Sequence, residues 1–215
     1  VSVAREWNEI LLEAIRNDFA RPTVHARNLY HHSIITYDAW AVYQSSQETY
    51  LIGNTLDTYT SIFEGVNTPL ELNDAIHETI AYASFYFIKN RYHNSPDYNS
   101  TYILMYNAMN AHGYSVNNTN LDYENGGPAE LGNFIAQEII NYGFTDGSNE
   151  INEFENSFYT SINPPLIMSE PGNPDIIDPN RWQTLTLDST IDQSGNLVDN
   201  TLPFLSPEWG NVTPF

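Results

Sequence analysis

Residues 21–43 read RPTVHARNLYHHSIITYDAWAVY, and the rest of the chain is organised around this stretch. Pro22 lacks a backbone N–H and has a fixed φ, so it suits the first turn of a helix and not its interior. Beyond it, apolar side chains recur at helical spacings: Leu29, Ile34, Tyr37 and Ala41, widened by Tyr30, Ile35 and Val42. A face that wide on about six turns of helix belongs inside a bundle. We therefore predict a helix from Pro22 to about Gln44 at the centre of an all-α core.

Four polar side chains lie in or beside that apolar face: His25, Arg27, His32 and Asp38. Groups of this kind are costly to bury unless they are paired. We interpret them as a structural polar cluster, an internal network of salt bridges and hydrogen bonds that ties helices together. A ligand site is the alternative, although the chain lacks the His-Glu-x-x-His pattern of zinc sites.

Further amphipathic stretches complete a predicted all-α bundle of about five main helices. The others cover residues 3–19, capped by Ser2, residues 69–90, a stretch that follows Ser95-Pro96-Asp97 and stops at Gly113, and residues 128–143. Thr68 as a cap, Pro69 at the first helical position and Glu71 closing a capping box form the clearest start signal. Residues 45–67 are predicted to be a loop with at most a short turn of helix.

The composition changes towards the C-terminus. From residue 163 onwards, repeated prolines exclude a long helix. The same region is too apolar for a free tail, as its larger side chains show: Trp182, Leu185, Leu187, Ile191, Phe204, Leu205, Trp209 and Phe215. We predict a helical bundle over residues 1–160 and an extended, irregular, Pro-rich arm over residues 161–215. That arm would pack on the bundle or on a missing C-terminal catalytic half.

Charge and cysteine content exclude several classes of function. The net charge is −20, with only 7 basic residues in 215, so no basic stripe is present for nucleic acid or an anionic membrane. The apolar runs are too short to span a bilayer. Without cysteine there are neither disulfides nor thiolate sites, which slightly favours a secreted, periplasmic or cell-surface bacterial protein over a cytosolic one.

The acidity has two explanations, solubility and calcium binding. Two loops, residues 170–178 and 188–199, carry the closely spaced oxygens that Ca²⁺ prefers. The candidate ligands are Asp175, Asp178, Asp188 and Asp192. Neither loop matches the EF-hand pattern, and turn formation alone also accounts for Asn, Asp and Gly at these positions.

Several blocks of the sequence resemble a known family. Residues 7–9 (WNE), 26–32 (ARNLYHH) and 37–40 (YDAW) are similar to the N-terminal part of the vanadium-dependent haloperoxidases, and most of all to bacterial members. The similarity continues in residues 128–133, 142–150, 179–183 and 207–215. That family belongs to the haloperoxidase and type-2 phosphatidic-acid-phosphatase superfamily.

The resemblance does not extend to the family's oxyanion-binding motifs. These are a lysine followed after six residues by Arg-Pro, a Ser-Gly-His, and an arginine followed after five residues by a histidine. Here the only Arg-Pro, at Arg21, has Ala14 where the lysine belongs, and Ser194-Gly195 is followed by Asn196. No arginine has a histidine six positions later. The resemblance therefore implies no catalytic residue within this chain.

The resemblance implies a scaffold for a catalytic site that lies elsewhere. The parent protein would oxidise halide with peroxide on vanadate bound beyond residue 215. Its partners would be the remaining C-terminal half or a second fragment chain, with a homo-oligomer as a further possibility. Two alternatives stay open: a non-catalytic helical binding or cell-surface module, and an acid-phosphatase-type member of the same superfamily.

Overall fold

The computed structural model describes residues 2–172, 175–192 and 195–214. Within them the chain is mainly helical, as predicted. Its α-helices are α1 (Val3–Arg16), α2 (Pro22–Ala41), α3 (Leu72–Tyr92), α4 (Tyr98–Ala111) and α5 (Pro128–Gly143). Two antiparallel hairpins pair β1 (Thr55–Leu56) with β2 (Tyr59–Thr60) and β3 (Thr186–Ile191) with β4 (Leu197–Thr201). Single 3₁₀ turns cover Glu150–Asn152 and Pro207–Asn211. No helix of this described part is long and apolar enough to cross a bilayer.

The chain divides into two compact units, Val1–Thr145 and Asp146–Pro214. All five α-helices belong to the first unit. The predicted boundary at residue 160 therefore lies inside the second unit. Between α5 and residue 160, the described regular structure is the single turn Glu150–Asn152.

The helix starts agree best with prediction where a local cap exists. Ser2 caps α1, since its Oγ accepts the N–H of Arg5 at 3.3 Å. Pro22 occupies the first turn of α2. At α5 the backbone N–H of Gly127 donates to Glu130 Oε2 at 2.8 Å, which completes a capping arrangement.

The predicted start of α3 is wrong. The helix begins at Leu72, three residues after Pro69, and its N-cap Glu71 makes no side-chain capping hydrogen bond. Glu71 has φ −103° and ψ 74°, which breaks helical geometry before Leu72. Leu70 is fully exposed, so this segment has no apolar contact to fold a preceding turn. The predicted capping box at Thr68–Glu71 therefore does not form.

α3, and not α2, is the most central helix. It packs against each of the other four helices, and it buries residues on nearly every side: Ala75, Thr79, Ile80, Ala81, Tyr82, Ala83, Ser84, Phe85, Phe87, Ile88, Arg91 and Tyr92. α1 adds Trp7 and Leu11, which are completely buried. Burying one side chain of the size of Leu11 contributes about 2 kcal/mol.

The second unit contains more regular secondary structure than the predicted irregular arm, because β3 and β4 pair in an antiparallel hairpin. The ring of Phe204 lies 4.3 Å from that of Tyr159 and 5.3 Å from that of Trp182. The Asn163 amide accepts the N–H groups of Ile177 and Asp178 and donates to backbone carbonyls. Prolines exclude a long helix here but do not prevent folding through side-chain and backbone hydrogen bonds.

Candidate functional site

The polar residues of α2 lie at successive levels of the helix and bind different partners. His25 Nε2 lies 2.8 Å from the carbonyl oxygen of Phe19, and His32 Nε2 lies 3.1 Å from Ser84 Oγ. Arg27 donates to the carbonyl oxygen of Gly143 at 3.0 Å. Asp38 accepts backbone N–H groups from residues 50–52. These contacts tie α2 to other parts of the first unit rather than converging on one ligand position.

The first level surrounds Asp18, which sequence reasoning missed. Its buried carboxylate lies 2.5 Å from Arg21 Nη2 and accepts the hydroxyl of Ser95 at 2.9 Å. His25 Nδ1 is 3.9 Å from the same carboxylate. Burial lowers the pKa of His25, although the Phe19 carbonyl and Asp18 act in the opposite direction. This level anchors the turn between α1 and α2.

The second level joins α2, α3 and α5 through Arg91, which also donates from Nη2 to the carbonyl oxygen of Ile139 on α5 at 3.5 Å. Its Nη1 donates to Asn28 Oδ1 at 2.9 Å, and its Nη2 lies 3.2 Å from His31 Nδ1. Arginine can only donate, so His31 Nδ1 accepts and its proton resides on Nε2. Asn28 in turn donates to the Tyr92 hydroxyl at 3.3 Å. Burial, and then the charges of Arg27 and Arg91, keep the pKa of His31 well below its ordinary value.

This second level was not predicted, although one signal for it exists in the sequence. The apolar stripe of α3 includes Phe87, and one further step of four residues reaches Arg91. A guanidinium on a stripe that is otherwise apolar indicates a buried polar partner. That partner is His31 on α2, 60 residues before Arg91 in the sequence. Helical periodicity relates residues within one helix, so it does not identify a partner on another helix.

His32 occupies the third level in an apolar setting. Its ring packs beside Phe87, with centroids 6.1 Å apart. Burial lowers its pKa to about 4. His32 is therefore neutral at pH 7 and has the role of a hydrogen-bonded core residue.

Asp38 fastens the segment that follows α2. Its carboxylate oxygens accept the N–H groups of Tyr50 at 2.5 Å, Leu51 at 2.9 Å and Ile52 at 3.0 Å. Burial raises the pKa of Asp38, and these three donors partly offset that effect. The side chains of Leu51 and Ile52 are buried. The hydrogen bonds to Asp38, which we call the Asp38 clamp, therefore hold these two apolar side chains in the core.

Because the pKa values of the buried residues His31 and His32 are lowered, we expect the free energy of unfolding to decrease in mild acid. Unfolded histidine has a pKa near 6.5, whereas native His32 titrates at about 4. Between these values the unfolded chain binds more protons, so the free energy of unfolding falls as pH decreases from 6.5. We expect His32 alone to remove about 3 kcal/mol over that range. Urea unfolding at a series of pH values, monitored by circular dichroism, measures this loss.

A matched pair of variants isolates the His32 contribution. His32→Asn should flatten the pH profile, whereas His77→Asn, at an exposed position of α3, should leave its slope unchanged. Equal slopes for the wild type and His32→Asn would show that His32 does not cause the loss.

The predicted calcium ligands receive no support from the described residues. Among these, no group of three or more His, Cys, Asp or Glu side chains could hold a metal ion. Asp178 Oδ1 accepts the N–H of Asn180, and Asp192 Oδ1 accepts the N–H of Asn196, which are ordinary turn contacts. Asp175 and Asp188 are exposed. Positions 173, 174, 193 and 194 of the two predicted loops lie outside the described residues.

Neither of the two cavities described in the first unit fits vanadate. A cavity of about 480 Å³ beside the start of α5 is lined by Glu64 and Glu124, which would repel an oxyanion. A groove of about 630 Å³ between α1 and α2 has Arg5 as its cationic lining residue. The buried Arg27 and Arg91 line neither of these spaces and donate to helix carbonyls and to Asn28. A tetrahedral oxyanion needs several converging cationic and amide donors, so these residues do not fit vanadate.

Comparison with known proteins defines the fold. No protein-family model matches the chain, and no curated protein matches it. Solved structures that do match include the apo-type and holo-type forms of a bacterial vanadium-dependent chloroperoxidase, with TM-scores of 0.62 and 0.63 and sequence identities of 16% and 15%. These matches cover 91% and 93% of this chain, and 41% of each chloroperoxidase chain. This chain therefore spans about two fifths of those proteins and has a haloperoxidase-like fold.

Proposed function

We propose that this chain is the N-terminal scaffold portion of a vanadium-dependent haloperoxidase-like protein whose oxyanion site lies beyond residue 215. One observation carries the proposal: the chloroperoxidase fold accounts for 91% of this chain, while this chain accounts for 41% of the chloroperoxidase. More than half of such a protein would then be polypeptide additional to these residues.

The polar residues of the first unit suit a scaffold role. Arg27 of α2 donates to the carbonyl oxygen of Gly143 on α5, and Arg91 of α3 contacts His31 of α2. Burial keeps the pKa values of His31 and His32 below the ordinary value, so both are neutral at pH 7. Arg27, His31 and Arg91 line neither of the two cavities described above, and His32, which lines the groove between α1 and α2, is neutral at pH 7 and already contacts Ser84 Oγ. A buried polar network of this kind fixes the register of packed helices. Its function would be to hold a rigid surface against the catalytic portion.

The reaction of the parent protein would consume peroxide, halide and a proton, and release hypohalous acid and water. Vanadate, bound outside this chain, would supply the activation of peroxide. On the same scaffold, phosphate-ester hydrolysis is the corresponding reaction for a phosphatase-type member. The remaining C-terminal half, or a second fragment chain, would be the obligatory partner, and a secreted, periplasmic or cell-surface location in a bacterium would fit that role.

Expression of the complete parent reading frame tests the proposal. We expect the parent protein, supplied with vanadate, to brominate or chlorinate a dye in the presence of peroxide, whereas residues 1–215 alone give no turnover. Phosphate in place of vanadate should abolish halogenation, which provides the matched control. A phosphate-ester substrate assayed in parallel distinguishes a phosphatase-type parent.

Two results would overturn the proposal. One is a reading frame that ends at residue 215. The other is a longer parent with no vanadate-dependent turnover on halide, and in that case the binding-module alternative takes its place. The internal contacts of Arg27 and Arg91 are compatible with both functions, so the assay decides between them.

A further inference from the structure

The outward side of α2 carries an uncharged seam at regular heptad spacing. We call it the outer seam of α2 and define it by Ala26, Tyr30, Ser33, Tyr37 and Trp40. The steps between these residues are four, three, four and three, the spacing of a helix that packs along a second helix. All are exposed except Tyr30, which is half-buried. The seam is about 21 Å long, given a rise of 1.5 Å per residue.

The outer seam of α2 carries no charged residue, although the chain as a whole is strongly acidic. The chain carries a net charge of −20, yet no exposed residue of α2 is charged, because Arg27 and Asp38 are both buried. Solvated helix faces normally carry charged residues, and depletion of charge is typical of the core of a protein interface. Tyr37 and Trp40 are 40% and 37% exposed, and their rings lie 5.8 Å apart. This composition indicates a surface that is covered in the complete protein.

The shape of the neighbouring surface fits a helical occupant. Between α1 and the C-terminal half of α2 lies the groove of about 630 Å³ noted above. Its lining includes the seam residues Ser33, Tyr37 and Trp40 together with Ala4, Asn8 and Arg5 of α1, of which Arg5 is the one charged residue. Two helices that leave such a groove between them can accept the side-chain ridge of a third helix.

The occupant follows from the length of the matched proteins. Because this chain covers only 41% of the chloroperoxidases that share its fold, more than half of such a chain remains to pack somewhere. We propose that the outer seam of α2 docks an apolar helix from the remaining polypeptide of the parent protein. This inference rests on the proposed function and adds the surface by which the two portions join.

Charge insertion in two protein contexts tests the docking surface. In residues 1–215, Trp40→Glu should lower the melting temperature by no more than Tyr106→Glu does, because both side chains are similarly exposed, 37% and 41%, and each loses only partial packing. In the parent protein the same substitution should lower the melting temperature by about 5 °C or more. Tyr106→Glu is the matched control, since Tyr106 is a 41% exposed aromatic residue on α4, and it should shift both proteins equally.

Oxidative footprinting measures the same contact without a substitution. The rate of hydroxyl-radical oxidation at Tyr37 and Trp40 should fall several-fold from residues 1–215 to the parent protein, while the rate at Tyr106 stays constant. Equal rates at Trp40 in both proteins would overturn the docking surface. Protection that depends on the concentration of residues 1–215 would also overturn it, because a second copy of the chain would then be the occupant.

The failure of this inference can be separated from failure of the proposed function. If the parent protein shows vanadate-dependent turnover but Trp40 is not protected, the proposed function stands and the docking surface is wrong. If the parent protein shows no turnover but Trp40 is protected, the docking surface stands and the enzymatic proposal is wrong.

Discussion

Replacing Asp38 with alanine should lower the free energy of unfolding of the first unit by about 3 to 5 kcal/mol. The carboxylate accepts three consecutive backbone N–H groups, those of Tyr50, Leu51 and Ile52. Alanine leaves these donors without an acceptor in a segment whose side chains at Leu51 and Ile52 are buried. An unsatisfied buried N–H costs far more than the net value of the hydrogen bond that it replaces.

A graded series makes the Asp38 prediction specific. Asp38→Asn keeps the shape and one carbonyl oxygen, so its loss should be smaller than that of Asp38→Ala. Glu9→Gln is the control, because Glu9 is exposed and pairs with Arg5 at 3.8 Å on the surface of α1, a contact worth at most about 1 kcal/mol. Urea unfolding followed by helical circular dichroism reports the first unit, since the described residues of the second unit contain no α-helix. Equal midpoints for Asp38→Ala and Glu9→Gln would contradict the clamp.

Adding a side chain at Gly132 should destabilise the contact between α3 and α5. A Cβ atom there would lie 2.5 Å from the carbonyl oxygen of Thr79, 2.8 Å from Cβ of Tyr82 and 2.9 Å from the backbone N of Ala83. Two of these three atoms belong to the backbone of α3, so no side-chain rotation relieves the clash. The helices would have to move apart and would lose packing along their shared interface.

We expect Gly132→Ala to cost about 3 kcal/mol, at the upper end of overpacking effects, and Gly132→Val to cost more. The measurement is again the urea midpoint from helical circular dichroism. Gly127→Ala is the control within the same unit, because a Cβ at Gly127 would meet only Glu130 Oε2, at 3.7 Å, and loss of a glycine N-cap should cost about 1 kcal/mol or less. A Gly132→Ala variant as stable as Gly127→Ala would mean that α3 and α5 do not approach this closely.

The similarity of fold to the chloroperoxidases and the buried polar network bear on function in different ways. The likeness extends over nearly the whole chain but accompanies a sequence identity of only 16%, so residues cannot be assigned a catalytic role from the fold. The network shows that the conspicuous cations of the first unit already have structural roles. If the proposed function holds, the reaction centre would lie in the remaining polypeptide, and the outer seam of α2 would be its docking surface.

Sequence reasoning predicted those elements whose signals are local. Ser2 at the start of α1, Pro22 at the start of α2 and the range of α5 were all predicted from residues within one or two turns of the element. The same reasoning placed the start of α3 too early, at Thr68 and Pro69, because a capping pattern forms only where the following turn has something to pack against. The first hairpin was missed because β1 and β2 have only two residues each. The second was missed because apolar and polar residues do not alternate regularly along β3.

By itself, the sequence determined the helical class, the acidic surface and the absence of the oxyanion-binding motifs, since composition, motifs and helical periodicity are properties of neighbouring residues. The tertiary structure alone decided which partners the polar residues of α2 would find. Arg27 meets Gly143 across 116 residues, and His32 meets Ser84 across 52. It also decided that Gly132 lies against the backbone of α3 and that one face of α2 remains uncovered. These features depend on which helices are adjacent in space, and packing of the whole core sets that arrangement.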